Sequence, residues 1–380
     1  MKKTYNERWV ENLVIQEKGK SWLNTNLLST AQFEQLLAAF PASFYRPGTF
    51  VKIGLFLFTL LGGSFFAGFL SLFFIENAQQ KTFAVLGIMC AIFYYAALEY
   101  FIRRRHLFHS GIDNALLYLA NGSAIASLYI LFDGLEIWQY CIIAFLMNTL
   151  TALRYADLFT VFLALVSLFV CFTSIVFKFP AGKLLMPFAL MLFSVAIFLL
   201  NKNKLRSYYS GCQRLVKIFT VFVFYLAGNY YVVREGNALL AGFSIDNAPQ
   251  IPFAVLFYVL TALIPILYGI IGLKYKDRIF LIAGLISAGI SCFTYRYYFD
   301  VIPVAIFLIL TGTVLVAISA FAIHYLKIPR YGVSDESVVD RNTTGIESIV
   351  IAHEFGQSPE ATGIKFDGGS FGGGGAGNQY

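Results

Sequence analysis

The chain has 380 residues, of which 58% are hydrophobic and only 13% are charged, and its formal net charge is +7. Soluble domains usually carry about 25% charged residues, so this composition excludes an ordinary soluble protein and favours one that lies mostly in lipid. The Lys and Arg residues lie in short clusters between apolar runs, as the topology signals of membrane proteins do. We therefore predict no nucleic-acid binding.

Residues 1–50 precede the first apolar run and are predicted to form a small soluble pair of helices. An apolar stripe within residues 9–14 has helical spacing, and Gly19 predicts the end of this first helix. Ser29 and Gln32 match a capping box, in which each side chain bonds the backbone N–H of the other residue. The second helix is therefore predicted to begin at this pair.

Ten apolar runs follow, and together they predict an all-α fold, a polytopic transmembrane helical bundle. A bilayer core about 30 Å thick is crossed by about 20 apolar residues in a helix. The fourth and ninth runs are short. The links between runs are also short, so neighbouring helices are expected to be antiparallel. The runs are 51–75, 82–102, 112–132, 137–153, 156–177, 184–200, 215–233, 251–273, 279–294 and 301–326.

The charges in alternate links predict the orientation, because Lys and Arg accumulate on the cytoplasmic side of membrane proteins. One set of links contains twelve such residues and the other set five. The richer set is then cytoplasmic, which places the N-terminus inside, and an even number of spans places the C-terminus inside as well. The richer set comprises Arg103, Arg104, Arg105, Arg154, Lys202, Lys204, Arg206, Arg214, Lys217, Lys274, Lys276 and Arg278, and the poorer set comprises Lys81, Lys178, Lys183, Arg234 and Arg296.

The chain is thus predicted to have three parts. Residues 1–50 form a cytoplasmic helical pair, residues 51–326 form the transmembrane bundle, and residues 327–380 form a flexible cytoplasmic tail. Seven glycines lie between positions 368 and 377, and glycine at that density keeps a chain flexible.

Sequence features near the N-terminus carry a resemblance to a known group. They are Trp9, LSTAQFEQLL at 28–37, FYRPGTF at 44–50 and IGLFLFT at 53–59. In these features the chain resembles bacterial multi-pass membrane proteins that carry a conserved domain of unknown function. The resemblance implies a bacterial inner membrane and transfers no activity and no functional residue. The glycine-rich end is similar in composition to the tails of other bacterial membrane-anchored proteins.

Residue types that carry chemistry are scarce. His106 and His109 share a helix face if the helix continues past Arg105, but two ligands do not make a metal site. The five cysteines form no CxxC pair. The sequence contains no P-loop, and its G-x-S-x-G and G-x-G-x-x-G matches lie only in the glycine-rich segment 368–377. We therefore predict no enzymatic activity, no catalytic residue, no metal and no cofactor.

Polar residues inside the apolar runs are the candidate functional positions, because burying them in lipid is costly. Glu99 lies one turn from the predicted cytoplasmic end of the second run, where pairing with Arg103 at i+4 is favoured over a proton-relay role. Asn121 lies near the middle of the third run and Asn148 lies inside the fourth. Hydrogen bonds between helices explain the two amides, and a substrate site is the other interpretation.

Helix interruptions and small residues also mark the runs. Pro187, Pro265 and Pro303 each lack a backbone donor and predict kinks. Gly284 and Ala288 form a small-xxx-small pair, which predicts a close contact between helices.

Two functions remain open. The first is a non-enzymatic membrane protein whose cytoplasmic ends bind a protein partner. The second is a secondary transporter of a small, largely uncharged solute, with a five-plus-five helix arrangement that rests on the span count alone. A water-filled cavity lined by Asn121 and Asn148 would favour transport, whereas a packed bundle centre would favour a structural or assembly role. The sequence indicates neither the substrate nor the oligomeric state.

The predicted topology is tested by labelling single cysteines, introduced into a cysteine-free variant, with an impermeant reagent added from outside. A cysteine at Asn247 should be labelled, whereas cysteines at Asn203 and Ser334 should react only after the membrane is opened. External labelling at Asn203 would contradict the orientation.

Overall fold

The computed structural model describes residues 3–24, 26–74, 79–201, 207–240, 249–299 and 303–326. These residues form α-helices and contain no strand, as the composition predicts. The helices are α1 (Glu7–Asn24), α2 (Thr30–Ala39), α3 (Thr49–Leu72), α4 (Gln80–Arg105), α5 (Ile112–Leu131), α6 (Ile137–Tyr155), α7 (Leu158–Val176), α8 (Gly182–Leu200), α9 (Ser210–Gly228), α10 (Tyr230–Leu240), α11 (Ala254–Lys274), α12 (Arg278–Tyr298) and α13 (Val304–Leu326).

Eight of these helices are long and apolar enough to cross a membrane, namely α3, α4, α5, α7, α8, α9 with the 3₁₀ turn before it, α11 and α12. The chain is therefore a multi-pass α-helical membrane protein. Each of the ten apolar runs overlaps a helix, and the seventh overlaps two. However, α6 and α13 are not among the eight, so the number ten and the orientation stay predictions.

Several boundaries differ from the prediction. The seventh run, 215–233, contains a break at Asn229 that separates α9 from α10, so the link after it begins with an unpredicted helix. The helix at the ninth run is longer than the run itself. The aromatic residues that follow 279–294 remain helical, and α12 has 21 residues. The probe positions Asn203, Asn247 and Ser334, together with the tail at 327–380, lie outside the described residues.

The N-terminal helical pair is present, and its capping box is confirmed. The Ser29 N–H donates to Gln32 Oε1 at 2.9 Å, and the Gln32 N–H donates to Ser29 Oγ at 3.3 Å. The prediction that Gly19 ends the first helix is wrong, because α1 continues to Asn24. Gly19 is instead buried against α2, where a Cβ atom would lie 3.1 Å from Leu36 Cδ1. The glycine permits the two helices to approach closely.

The N-terminal segment is anchored to one end of the bundle, here called the N-terminal end. The hydroxyl of Tyr5 donates to Asp113 Oδ2 at 2.9 Å, and the Thr4 N–H donates to the Arg154 carbonyl at 3.3 Å. Tyr5 is buried and packs edge-on against Phe108. The helical pair is thus attached to α5 and α6 through the residues that precede α1.

The helices of the bundle pack mainly as sequential hairpins, α4 on α5, α6 on α7, α8 on α9 and α11 on α12. The close contact predicted at Gly284 is present between the last two. A Cβ atom at Gly284 would lie 3.1 Å from the Gly269 nitrogen and 3.3 Å from the Pro265 oxygen. These are backbone atoms, so they cannot move aside as the end of a side chain can.

Replacement of Gly284 by leucine should therefore separate α11 from α12 and destabilise the protein by about 1–3 kcal/mol, the usual range for overpacking. The melting temperature of the detergent-solubilised protein measures the effect. Gly289 on the same helix is a matched control, because a Cβ atom there would meet nothing within 4 Å. Equal losses in Gly284→Leu and Gly289→Leu would contradict the assignment of the contact.

Candidate functional site

Two of the predicted positions, Asn121 and Asn148, contact each other. The Asn121 Nδ2 group donates to Asn148 Oδ1 at 2.7 Å, and both side chains are buried. The Asn148 Nδ2 group also donates to the Ala144 carbonyl at 2.8 Å. The amides therefore link α5 to α6 directly, which favours the structural interpretation of this pair over a cavity lining.

Glu99 lies at the N-terminal end of the bundle and accepts hydrogen bonds from four side chains. The expected pair with Arg103 is present at 3.3 Å. Sequence reasoning missed Arg154 of α6, whose Nε and Nη2 lie 2.8 and 2.7 Å from Glu99 Oε1. Tyr155 and Thr4 donate to the same oxygen at 2.8 and 3.3 Å. The carboxylate thus holds α4, α6 and the N-terminal segment together.

The principal feature that sequence reasoning missed is the interruption between α9 and α10. Asn229 has extended backbone angles, with φ −83° and ψ 126°. The first free N–H group of α10, that of Tyr230, donates to Thr261 Oγ1 at 2.9 Å, and the Val232 N–H donates to Asn229 Oδ1 at 3.2 Å. The side chains around the break therefore replace the hydrogen bonds that a continuous helix would have made.

A second gap in the backbone hydrogen bonding lies beside the first, at Pro265, although α11 is continuous through this residue. Proline has no N–H, so the carbonyl four residues earlier, that of Thr261, loses its helical donor. The Ser291 hydroxyl of α12 donates to this carbonyl at 2.6 Å. Thr261 therefore receives a donor from α9–α10 on its hydroxyl and a donor from α12 on its carbonyl.

The two interruptions belong to one continuous hydrogen-bonded network. The Tyr225 hydroxyl lies 2.9 Å from Ser291 Oγ, and the Asn229 amide donates to Tyr225 at 2.9 Å and to Thr294 Oγ1 at 3.1 Å. We call Tyr225, Asn229, Thr261, Ser291 and Thr294 the break network. All five are buried, and none changes its charge near neutral pH. The network consists of neutral amide and hydroxyl groups that bond one another, so it is a poor proton carrier.

Helix α10 lies between two clefts, with volumes of about 230 and 290 Å³. Pro187, Val233 and Asn237 line both, and the walls are largely apolar. The smaller cleft lies between α8, α10 and α11, and the larger lies between α7, α8, α9 and α10. The amide of Asn237 is the polar group that the two clefts share. A cleft with apolar walls and few polar groups is the usual form of a small-molecule site.

The other side of α10 is held by a buried carboxylate. Glu235 is 4% exposed, and its Oε1 atom accepts from Arg234 Nη1 at 3.0 Å and from the Tyr298 hydroxyl. The ring of Tyr298 also packs edge-on against Tyr230. These contacts connect α10 to the end of α12, so a displacement of α10 would also disturb α12.

Among the residues that the structure describes, no group of three or more His, Cys, Asp or Glu side chains could hold a metal ion. The expected shared face of His106 and His109 does not form, because α4 ends at Arg105 and His106 has left-handed backbone angles.

Comparison with known proteins adds no family. No family model matches the chain, and neither the curated proteins nor the solved structures include a significant match.

The double interruption predicts a specific energetic coupling. Ser291→Ala should destabilise the protein by about 1–2 kcal/mol, because it leaves a buried carbonyl without a donor. In a Pro265→Ala background the same change should cost less, because the alanine N–H then bonds the Thr261 carbonyl and only the contact of Tyr225 with Ser291 is lost. Chemical or thermal unfolding of the four variants measures this coupling. Ser287→Ala is the control, since Ser287 is buried on the same helix and donates only to the Gly284 carbonyl of that helix.

A second prediction concerns His109, which lies between α4 and α5 at the N-terminal end. Burial lowers the pKa of His109, against the opposing effect of Asp113 and Asp157 and with the support of Lys52 and Arg46. The Asn114 amide, which donates to Asp157 at 2.8 Å, also lies 3.4 Å from His109 Nδ1. A donor at this nitrogen stabilises the neutral ring.

Because the folded state binds the His109 proton less well than an exposed histidine does, the contribution of His109 to stability is present above pH ~6.5 and is lost as the pH falls. The protection of the amides of residues 3–10, measured relative to the intrinsic exchange rate at each pH, should therefore decrease between pH 7.5 and 5.5. His109→Gln should remove most of this dependence, whereas His106→Gln should retain it. A decrease in protection that is unchanged in His109→Gln would assign the effect to another group.

Proposed function

We propose that this chain is a non-enzymatic, ten-span protein of the bacterial inner membrane that carries a small uncharged solute across it. The α9–α10 interruption and its two clefts form the solute site in this proposal. The positive charges in alternate links support a cytoplasmic N-terminus and C-terminus. The resemblance near the N-terminus supports the bacterial membrane and a group with a domain of unknown function.

The observation that carries the proposal is the helix break beside the clefts. Transporters commonly place their sites where helices are discontinuous, because the freed backbone and nearby polar side chains can bind solute inside the membrane. Here Asn229 breaks one helix and Pro265 interrupts the next. In this proposal, α10 moves between the clefts by a change at the extended residue Asn229, together with release of the contact between Glu235 and Tyr298.

The chemistry of the break network supports an uncharged solute. Its amide and hydroxyl groups can bind a neutral polar molecule, whereas a charged solute would require a counter-charge to offset its desolvation. Glu99 lies near the C-terminal end of α4 and already accepts hydrogen bonds from four side chains. We therefore expect uptake that does not depend on a proton gradient.

Purified full-length protein in proteoliposomes provides the test. An osmotic shift with glycerol, urea or a small polyol is followed by light scattering, which reports the entry of each uncharged solute through the change in vesicle volume. The protein should accelerate entry of at least one solute. Asn237→Leu should lower that rate about tenfold, which corresponds to about 1.4 kcal/mol, because both clefts lose their shared amide.

The matched control is the double variant Asn121→Leu with Asn148→Leu. Replacing both partners of a buried hydrogen bond by apolar groups of similar shape is nearly neutral, so the rate should persist if the solute passes at α10. Loss of the accelerated solute entry in this variant would indicate that the solute passes at α5 and α6 instead. Proton-coupled uptake that disappears in Glu99→Gln would overturn the structural role of Glu99, and no acceleration for any solute would overturn transport.

A second function, partner binding at the N-terminal helical pair, is favoured by exposed apolar side chains outside the spans. Trp22 is 46% and Leu27 is 71% exposed at the tip of the hairpin. Hydrogen bonds from Asn12 and Gln16 to residues 40 and 41, each 2.7 Å long, hold the hairpin rigid. Exposed apolar groups on a rigid element are typical of protein interfaces.

A photo-crosslinking residue at Leu27 tests this second function in cells. One discrete crosslinked protein, absent when the probe replaces the exposed polar Glu34, would support a partner. Crosslinks to lipid alone would contradict it, since the tip would then be a membrane anchor.

A further inference from the structure

A groove of about 300 Å³ lies between α4 and α6, at the N-terminal end of the bundle. Its lining residues are Tyr95, Glu99, Leu150, Thr151, Arg154 and Tyr155, and most of its exposed surface is apolar. Leu150 is 50% exposed. Both helices are spans in the proposed arrangement, so the groove opens sideways towards the acyl chains of the bilayer.

The charged groups lie at one end of this groove. On α4, Tyr95, Glu99 and Arg103 follow at intervals of four residues and therefore share one face. Arg103 is the outermost of the three, and its side chain is 74% exposed. Arg154 closes the groove from α6 by its ion pair with Glu99, and it remains 30% exposed.

The charges near this end do not balance. Glu99 is the acidic residue of the groove, whereas Arg103 and Arg154 contact it and Arg104 and Arg105 complete the last turn of α4. Two guanidinium groups thus contact one carboxylate and two more lie in the same helical turn, which leaves a local excess of positive charge. The excess lies where an apolar groove meets the membrane–water interface.

We propose that this groove binds an anionic phospholipid. One acyl chain lies along Tyr95 and Leu150, and the phosphate of the headgroup is bound by Arg103, with Arg104 and Arg105 adding long-range attraction. Clusters of basic residues at the cytoplasmic ends of membrane helices bind anionic headgroups in this way. Arginine also suits phosphate because its planar group donates two parallel hydrogen bonds. A free phosphate would use the same arginine but would leave the apolar groove empty.

The test is native mass spectrometry of the full-length protein in detergent, titrated with phosphatidylglycerol or with phosphatidylcholine of the same acyl chains. Phosphatidylglycerol should bind more tightly. Arg103→Gln should weaken it about fivefold, the factor that corresponds to ~1 kcal/mol per cationic side chain at an anionic membrane surface. Leu150→Trp should weaken both lipids by filling the groove. Arg278→Gln removes an exposed charge from the first turn of α12 and should change neither affinity.

Three results would overturn the proposal. Equal affinity for the two lipids would show that the charge is not recognised. A preference for phosphatidylglycerol that survives both Arg103→Gln and Leu150→Trp would place the lipid elsewhere. Displacement of the lipid by an equal concentration of glycerophosphoglycerol, which has the headgroup but no chains, would show that a phosphate site alone accounts for binding. Solute uptake tests the clefts beside α10, whereas lipid binding tests the groove between α4 and α6, so failure of either proposal can be recognised separately.

Discussion

A backbone N–H or C=O group without a partner costs several kcal/mol in a bilayer, because no water reaches it there. The half of this protein built from α8 to α12 depends on meeting that requirement twice. Asn229 interrupts one helix and Pro265 the next, and the freed groups meet at Thr261. Ser291 completes the set from a third helix. The close approach of α11 to α12 at Gly284 brings that hydroxyl within reach. Small residues and polar groups here are therefore parts of one arrangement.

The N-terminal end of the bundle follows the same physical rule with charges. Glu99 accepts from four side chains, and Asp113 accepts from Tyr5 and from the backbone N–H groups of His109 and Ser110. A buried carboxylate is tolerated only when donors replace its water. Because some of these donors come from residues that precede α1, the soluble helical pair is attached to the spans by the groups that neutralise them.

The polar groups in the two halves of the bundle have different surroundings. The different roles proposed for the two halves rest on this difference. In the first half, Asn121 donates to Asn148 across a buried contact, which links α5 to α6 directly. In the second half, polar groups surround an interruption, and α10 is bordered by clefts on two sides. In the proposed function, the packed half is the fixed scaffold and α10 is the element that moves against it.

The features of this protein that depend on local pattern and composition can be predicted from the residues alone. Apolar runs of span length predict the helices, since lipid requires about 20 apolar residues for each crossing. The capping box of Ser29 and Gln32 could be predicted because the two residues are three positions apart. The pair of Glu99 and Arg103 could be predicted because they are four positions apart on one helix. Pro265 was visible as an interruption, but the hydroxyl that repairs it was not.

Contacts between groups that are distant along the chain depend on how the helices pack. Arg154 reaches Glu99 from 55 positions away along the chain, and Asn229 meets Thr294 from 65 positions away. Such pairs leave no periodic pattern in the sequence, because they arise from the way the helices pack. The break at Asn229 also lay hidden inside an apolar run, since composition measures affinity for lipid and not continuity of the backbone. The helices were therefore predictable from the residues, whereas the site that they form depended on how the helices pack.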